Sequence, residues 1–256
     1  MRYVMCGMMV MLLMAGGCIS DQQKISDKIE DGEVALGGER YDVAMSDADD
    51  ALHIGQSAQA YYLRGRAEES RPKPDDQIAA ADLSSAQADY QSALGLHPGQ
   101  PLEARCHAGL ANIAFVQNDY STALYQYTLA VDNLDRPDWR ALSLYRMGEC
   151  QQRLGHFEDA DRTFALVCQE YPTDDIAAKA QAREMVHGFY VQIGAFAQPA
   201  DATAAMRSAK NAGLDCQLIA DQGMIAVRGG PFSTYTDALH ARAAVAAQFP
   251  DAVIGP

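Results

Sequence analysis

The chain is short of basic residues. Its 256 residues hold 20 Lys and Arg against 34 Asp and Glu, a formal net charge of −14. That balance excludes nucleic acid as a partner, because phosphates are neutralised by Lys and Arg, and it suits a solvated surface. Tryptophan occurs once. There is no Cys-x-x-Cys pair, and no histidine stands at zinc-ligand spacing from a cysteine. A His-Glu-x-x-His helix, a nucleophile elbow and a phosphate-binding loop are all missing. Paired carboxylates such as Asp49-Asp50 and Asp174-Asp175 read as helix-end or surface charge. With no catalytic constellation, no metal site and no cofactor site in the pattern, a non-enzymatic protein is expected.

A bilayer-spanning run is lacking too, since that takes about 20 apolar residues. The longest apolar run, Tyr3 to Ala15, follows Arg2, the lone charge before Asp21. A basic start, a short apolar core and the small residues Ala15-Gly16-Gly17 make residues 1–17 a secretory signal. Cys18 follows at once, and the string resembles a bacterial lipobox, whose cysteine becomes lipidated. Ala15 departs from the usual Leu. Each buried CH₂ contributes about 0.8 kcal/mol, so two or three acyl chains on Cys18 would hold the protein to a membrane. The other reading is an ordinary signal peptide with an incidental cysteine. Ile19, in place of Asp, favours the outer membrane, facing the periplasm. Besides Cys6 and Cys18 there are four cysteines, Cys106, Cys150, Cys168 and Cys216, which read as small buried apolar residues. Cys150 and Cys168 fall about 10 Å or more apart along one predicted hairpin, too far for a bridge.

Between residues 32 and 172 a spacing of three and four recurs. Tyr41, Ala44, Ala48 and Ala51 show it, as do Tyr120, Ala123, Tyr127 and Ala130, and Phe157, Ala160, Phe164 and Val167. Leu83, Ala86, Tyr90 and Ala93 form a further copy. Such residues share one helix face. Gly32, Ala111 and Gly148 each lie twelve residues before the first Ala of their copies, and Pro98 and Pro172 close two second helices. Arg71-Pro72-Lys73-Pro74-Asp75-Asp76 is an insertion between the helices of the second copy. The array resembles tetratricopeptide repeats, with a 37-residue lag in place of 34. Asp174 to His187 reads as a capping helix. The resemblance implies a concave surface for a protein partner, with Arg105, Asn112, Tyr145, Glu149 and Arg153 as candidate groove residues on the exposed side of the first helices.

From Gly188 the composition shifts. Tyr190 to Ile193 alternates like a strand, Asp201 to Ala212 reads as an Ala-rich helix, and Cys216 to Ile219 and Met224 to Arg228 form a hairpin about Asp221-Gln222-Gly223. Gly229-Gly230-Pro231 should break the third strand. Thr236 to Gln248 is a second helix and Ala252 to Ile254 a last strand. The order βαββαβ gives a sheet with helices on one face. Phe189-Tyr190-Val191-Gln192-Ile193-Gly194-Ala195-Phe196 and Val227-Arg228-Gly229-Gly230-Pro231-Phe232, in that order about a helix and a hairpin, resemble a SPOR domain, a family that binds peptidoglycan glycan strands.

The expected architecture is α + α/β in two domains: residues 22–187 form a helical tetratricopeptide-repeat solenoid, and residues 188–256 a ferredoxin-like βαββαβ SPOR domain. The resemblance implies a glycan face of Gln192, Tyr190, Ala195, Met224 and Arg228. Some SPOR domains carry Ser where this chain has Ala195 and Arg where it has Ala226. The expected function is a cell-envelope lipoprotein that binds glycan strands while its repeats recruit an envelope, division or wall-remodelling protein. The alternative is an outer-membrane interaction scaffold whose SPOR-like module does not bind glycan.

Overall fold

The computed structural model describes residues 20–72, 80–221 and 223–256. The signal segment, Cys18, most of the Arg71–Asp76 insertion and Gln222 lie outside the described residues. Among the described residues, no helix is long and apolar enough to cross a membrane. Nine helices precede the sheet among the described residues: α1 (Asp21–Gly37), α2 (Tyr41–Ile54), α3 (Ala58–Ser70), α4 (Ala80–Gly95), α5 (Leu102–Val116), α6 (Tyr120–Ala130), α7 (Pro137–Arg153), α8 (Phe157–Glu170) and α9 (Asp175–Gln181). The first eight pair as four antiparallel hairpins, each packed on the next.

The recurring residues do what their spacing demands. Ala44, Ala86, Ala123 and Ala160 are fully buried, and Tyr90, Tyr127 and Phe164 fill the space beside them. The tyrosines also end in polar partners. Tyr90 Oη donates to Glu69 at 2.5 Å, Asn112 Nδ2 donates to the same carboxylate at 2.9 Å, and Tyr127 Oη donates to Asn112 Oδ1 at 2.7 Å. One chain of hydrogen bonds thus ties together α3, α4, α5 and α6. Burial raises the Glu69 pKa above the ordinary carboxylate value, against the lowering effect of those two donors. A second tie is Arg64 on α3, which makes a bidentate pair with the buried Asp89 on α4 and reaches Asp49 on α2 at 2.6 Å. Asp89 is a buried charge, and both of its carboxylate oxygens are met.

The second copy has its small residue after all. A Cβ on Gly65 would stand 3.1 Å from Asp89 Cβ and 3.2 Å from Ala86 O, so this is where α3 and α4 close together. The insertion displaces Gly65 from the twelve-residue offset that marks the other copies.

The segment after α8 differs from expectation. α9 ends at Gln181, and residues 182–187 turn away. Gln152, fully buried on α7, donates through Nε2 to Arg183 O at 3.0 Å and to Val186 O at 3.2 Å. Arg183 pairs with Glu149 at 3.0 Å. These bonds draw the chain onto α7 and replace the helical hydrogen bonds that a longer α9 would need. Two of the four described cysteines, Cys106 and Cys150, are buried as expected, and burial pushes each thiol pKa up to about 12. Cys168 and Cys216 are half-buried instead, and all four are free thiols.

The C-terminal unit contains β1 (Phe189–Phe196), α10 (Pro199–Asn211), β2 (Cys216–Asp221), β3 (Met224–Phe232), α11 (Tyr235–Val245) and β4 (Val253–Gly255). The sheet is antiparallel with strand order β2-β3-β1-β4. Both helices lie on one face, where Val191, Ile193, Val227, Ala202, Ala209 and Val245 form the core. Gly213, at φ +93°, ends α10, and Leu214 N–H returns to Ala209 O at 2.9 Å. β3 does not break at Gly229-Gly230-Pro231. It runs on to Phe232, opposite Phe189, through a register shift that takes up the extra residue. Gly230 serves this shift at φ +119°, where a Cβ would stand 2.8 Å from Phe189 O.

The two units exchange aromatic rings. Phe157, at the start of α8, packs against the sheet-side core, while Tyr235, at the start of α11, packs against the repeat cluster about Tyr120 and Tyr127. Tyr235 meets Tyr120 edge-on at 5.9 Å and Phe189 at 5.5 Å. The Arg153 guanidinium sits among three rings, 4.4 Å from Tyr235, 4.8 Å from Tyr120 and 5.0 Å from Phe115, and it donates to the Tyr120 hydroxyl. Asp161 on α8 accepts from Met185 N–H at 3.0 Å and pairs with His187 at 2.7 Å.

Candidate functional site

The face of the sheet away from the helices is set by register. Phe189, Val191 and Ile193 point into the core, so Tyr190 and Gln192 point to the other side. Ala195 lies three residues beyond Gln192, and simple alternation would send it to the core side. A bulge between Gln192 and Gly194 reverses the parity. Phe196 then packs inward with Ile225, and Ala195, opposite Ala226, joins Gln192 on the open face.

One rung crosses all four strands: Gln217 on β2, Arg228 on β3, Gln192 on β1 and Val253 on β4. Arg228 Nε donates to Gln192 Oε1 at 2.8 Å. The bond fixes the guanidinium in line with the amide and leaves the Gln192 amide nitrogen as a donor. Gln217 is exposed at one end of the rung, and Val253 is 57% exposed at the other. The next rung is apolar and runs through Ile219, Ala226 and Ala195.

Tyr190, Gln192 and Arg228 are half-exposed, whereas Ala195 and Met224 are exposed. Ala226 is on the expected face but only 1% exposed, closed over by its neighbours. Sequence reasoning missed Gln217 and Val253. Strand alternation marks Gln217 as a polar position next to Leu218, but only the register places it beside Arg228. The residues that meet the repeats, Phe189 and Tyr235, belong to the core side and to the turn into α11, so docking leaves this face uncovered.

Residues 187–254 match the family model of the SPOR domain, and residues 142–174 match that of a tetratricopeptide repeat. The chain joins tetratricopeptide repeats to a C-terminal SPOR domain. Both families are non-catalytic binding modules: SPOR domains bind peptidoglycan, and tetratricopeptide repeats bind proteins. Among solved structures, the chain is similar to the C-terminal tetratricopeptide-containing domain of an FK506-binding protein from Plasmodium falciparum. The identity is 18%, with 64% of this chain and 90% of that chain covered at a TM-score of 0.29. Among curated proteins, nothing matches.

The repeats place the expected groove residues differently. None of the five is on an open surface. Asn112 is spent in the Glu69–Tyr127 network, and Glu149 is buried and paired with Arg183. Arg153 is enclosed by rings at the junction with the SPOR domain. Tyr145 lies half-buried on Phe164 at 5.8 Å. Arg105 pairs with Asp135 and stands 5.5 Å over Trp139, and it lines a cavity together with Asn112. Long polar side chains on a first helix can reach the adjoining repeat, and helix periodicity does not distinguish that reach from exposure.

Proposed function

We propose that this protein is a non-enzymatic lipoprotein of the bacterial cell envelope that holds peptidoglycan glycan strands on the open face of its SPOR sheet. The observation that carries the reading is the Gln217–Arg228–Gln192 rung, with the Arg228–Gln192 bond at 2.8 Å. Amides and a guanidinium aligned on an open sheet match sugar hydroxyls and acetamido groups, which both donate and accept. Tyr190, next to the rung on β1, and Met224, beyond the apolar rung on β3, offer apolar area to a sugar ring. Lipidation of Cys18 anchors the chain, to the outer membrane by the residue that follows it. The repeats recruit a protein partner, and a division or wall-remodelling protein fits that place.

Sedimentation of the full chain with isolated sacculi tests the reading. The protein should pellet with sacculi, including sacculi stripped of stem peptides. Arg228→Ala should weaken pelleting about tenfold, the loss of one charge-assisted hydrogen bond or more. A wild-type chain that stays in the supernatant would leave the interaction scaffold as the function. Unchanged pelleting of Arg228→Ala would remove that residue from the site. Labelled palmitate should enter the wild-type chain and not Cys18→Ser; equal labelling would sink the anchor.

A further inference from the structure

The two edges of the SPOR sheet differ. β4, at one edge, is three residues long. β2, at the other, runs six residues from Cys216 to Asp221 and pairs with β3 in an unbroken register. Among the described residues, no strand pairs on its outer side. Alternate residues of an edge strand turn their N–H and C=O groups outward, which makes the strand a template for one more. Edges are ordinarily blunted by a bulge, a proline or a charge. β2 has none of these between Cys216 and Ala220.

Leu218 marks the same edge. It alternates with Gln217, so it points to the helix side, opposite the fully buried Val227, and yet it is 40% exposed. Of the two sheet helices, α10 packs on β2, whereas α11 packs on β1, β3 and β4. The cover thins at this edge and leaves Leu218 and Ala220 open to solvent.

We infer that β2 pairs antiparallel with β2 of a second copy of this chain, about a two-fold axis at Ile219. Few registers are open to such a pair, because opposed residues must share a face of the sheet. An axis at Leu218 sets Asp215 opposite Asp221 of the second copy, and like charges directly opposite are destabilising. An axis at Gln217 or Ala220 leaves three residues of each strand paired. The axis at Ile219 pairs residues 217–221, faces Leu218 with Ala220 of the second copy and opposes no like charges.

The pair joins the two open faces. Ala195, Ala226 and Ile219 of one copy run into the same three residues of the other as one apolar floor. A Gln217–Arg228–Gln192 rung borders the floor on each side, one from each copy, two residues or about 7 Å from the midline. Sugar rings then lie on an apolar floor between two polar walls, where a single copy offers one wall. This consequence rests on the glycan reading of the open face; the pairing does not. Two short strands bury less than the about 1,600 Å² of a standard interface, so the pair is weak in free solution and gains where one glycan strand engages both copies.

Sedimentation equilibrium of the full chain, without glycan, tests the pairing. A monomer–dimer equilibrium is expected, and added salt should favour the dimer, because two chains of net charge −14 repel each other. Leu218→Lys should weaken the dimer about tenfold or more and melt as the wild type does, since the position is exposed. Mild oxidation reads the register. Opposed residues stand about 4.5–5.5 Å apart at Cα, within disulfide reach, so Ile219→Cys should be captured as a covalent dimer. Gln217→Cys falls four residues, about 14 Å, out of step with its own copy and should not be captured. Cys216 of the wild type falls further out of step still.

A chain that stays monomeric at its highest soluble concentration in high salt, with no capture of Ile219→Cys, would overturn the pair. Capture of Gln217→Cys or of the wild type as strong as that of Ile219→Cys would overturn the register. With sacculi, Leu218→Lys should pellet several-fold less than the wild type, although position 218 points away from the open face. Undiminished pelleting would remove the shared floor. Failure of every form to pellet would remove the glycan reading and leave the pair, which is measured without glycan.

Discussion

Replacing Tyr235 by Ala should loosen both domains at once. Tyr235 contributes two edge-to-face contacts, to Tyr120 at 5.9 Å and Phe189 at 5.5 Å, and one face to the Arg153 guanidinium at 4.4 Å. Aromatic pairs contribute about 0.5–1.5 kcal/mol each, and a partly desolvated cation–π contact about 1–2 kcal/mol. The three together suggest a loss of about 2–4 kcal/mol, at the low end of an aromatic truncation in a core because the ring is only half-buried. For a chain of this size each kcal/mol moves the midpoint by about 2–4 °C, so a drop of about 5–15 °C is expected. Scanning calorimetry of the full chain is the assay. The reciprocal placement of Phe157 and Tyr235 predicts one cooperative transition in the wild type and two separated ones in Tyr235→Ala. All three contacts are made by the ring and none by the hydroxyl, so Tyr235→Phe should melt within about 0.5 kcal/mol of wild type. Two transitions already present in the wild type, or a midpoint for Tyr235→Ala within 2 °C or so of it, would refute the coupling.

Gly148→Ala should destabilise the last repeat by about 1–2 kcal/mol, because overpacking outweighs the gain in helix propensity: the added Cβ would stand 2.6 Å from the Phe164 ring. Gly37→Ala, where a Cβ meets nothing within 4 Å, should be neutral or slightly stabilising in the same urea titration, and equal effects would refute the packing account. Asp119 caps α6 by accepting from Thr122 N–H at 3.1 Å, and the Thr122 and Ser121 hydrogen bonds lower its pKa. Asp119→Ala should cost about 1 kcal/mol at neutral pH. Because the folded pKa is depressed, the advantage of Asp119 is present above the ordinary Asp value and fades as pH falls through the folded value. A gap between the two proteins that grows in acid would contradict this assignment.

Much of the fold was legible because burial in the repeats is periodic. Ala44, Ala86, Ala123 and Ala160 announce their helix faces by spacing alone, and the βαββαβ order follows from alternation and turns. What stayed hidden depends on pairing. Gly65 was displaced by an insertion, so no fixed offset could find it. The end of α9 was set by Gln152, 29 residues before Gln181, and a local helix pattern carries no trace of such a tie. β3 passed through Gly229-Gly230-Pro231 because Phe189 waited across the sheet for Phe232. The groove residues failed for a related reason: Asn112, Glu149 and Arg153 have the polarity of a surface and the partners of an interior. The candidate sheet face was the most legible part, although the bulge that puts Ala195 beside Gln192 is visible only in the register.

That register changes what the two alanines mean. Read along the sequence, Ala195 and Ala226 are two separate departures from polar residues found in some SPOR domains. Across the sheet they are one, since Ala195 and Ala226 are direct partners in β1 and β3. A polar pair there would occupy the rung next to Gln192 and Arg228. Ala226 is 1% exposed, so a long polar side chain at that position would have to leave the rung and rise over its neighbours. On the proposed reading, the polar contact with the glycan has moved along β3 by two residues, about 7 Å at the strand rise. The binding determinant then becomes the Gln217–Arg228–Gln192 rung, with Ile219, Ala226 and Ala195 as its apolar border. Ala226→Arg separates the two positions. If recognition has moved, the added cation crowds the apolar rung and leaves pelleting with sacculi unchanged or weaker. A several-fold gain would show that the vacant rung is still where the glycan lies.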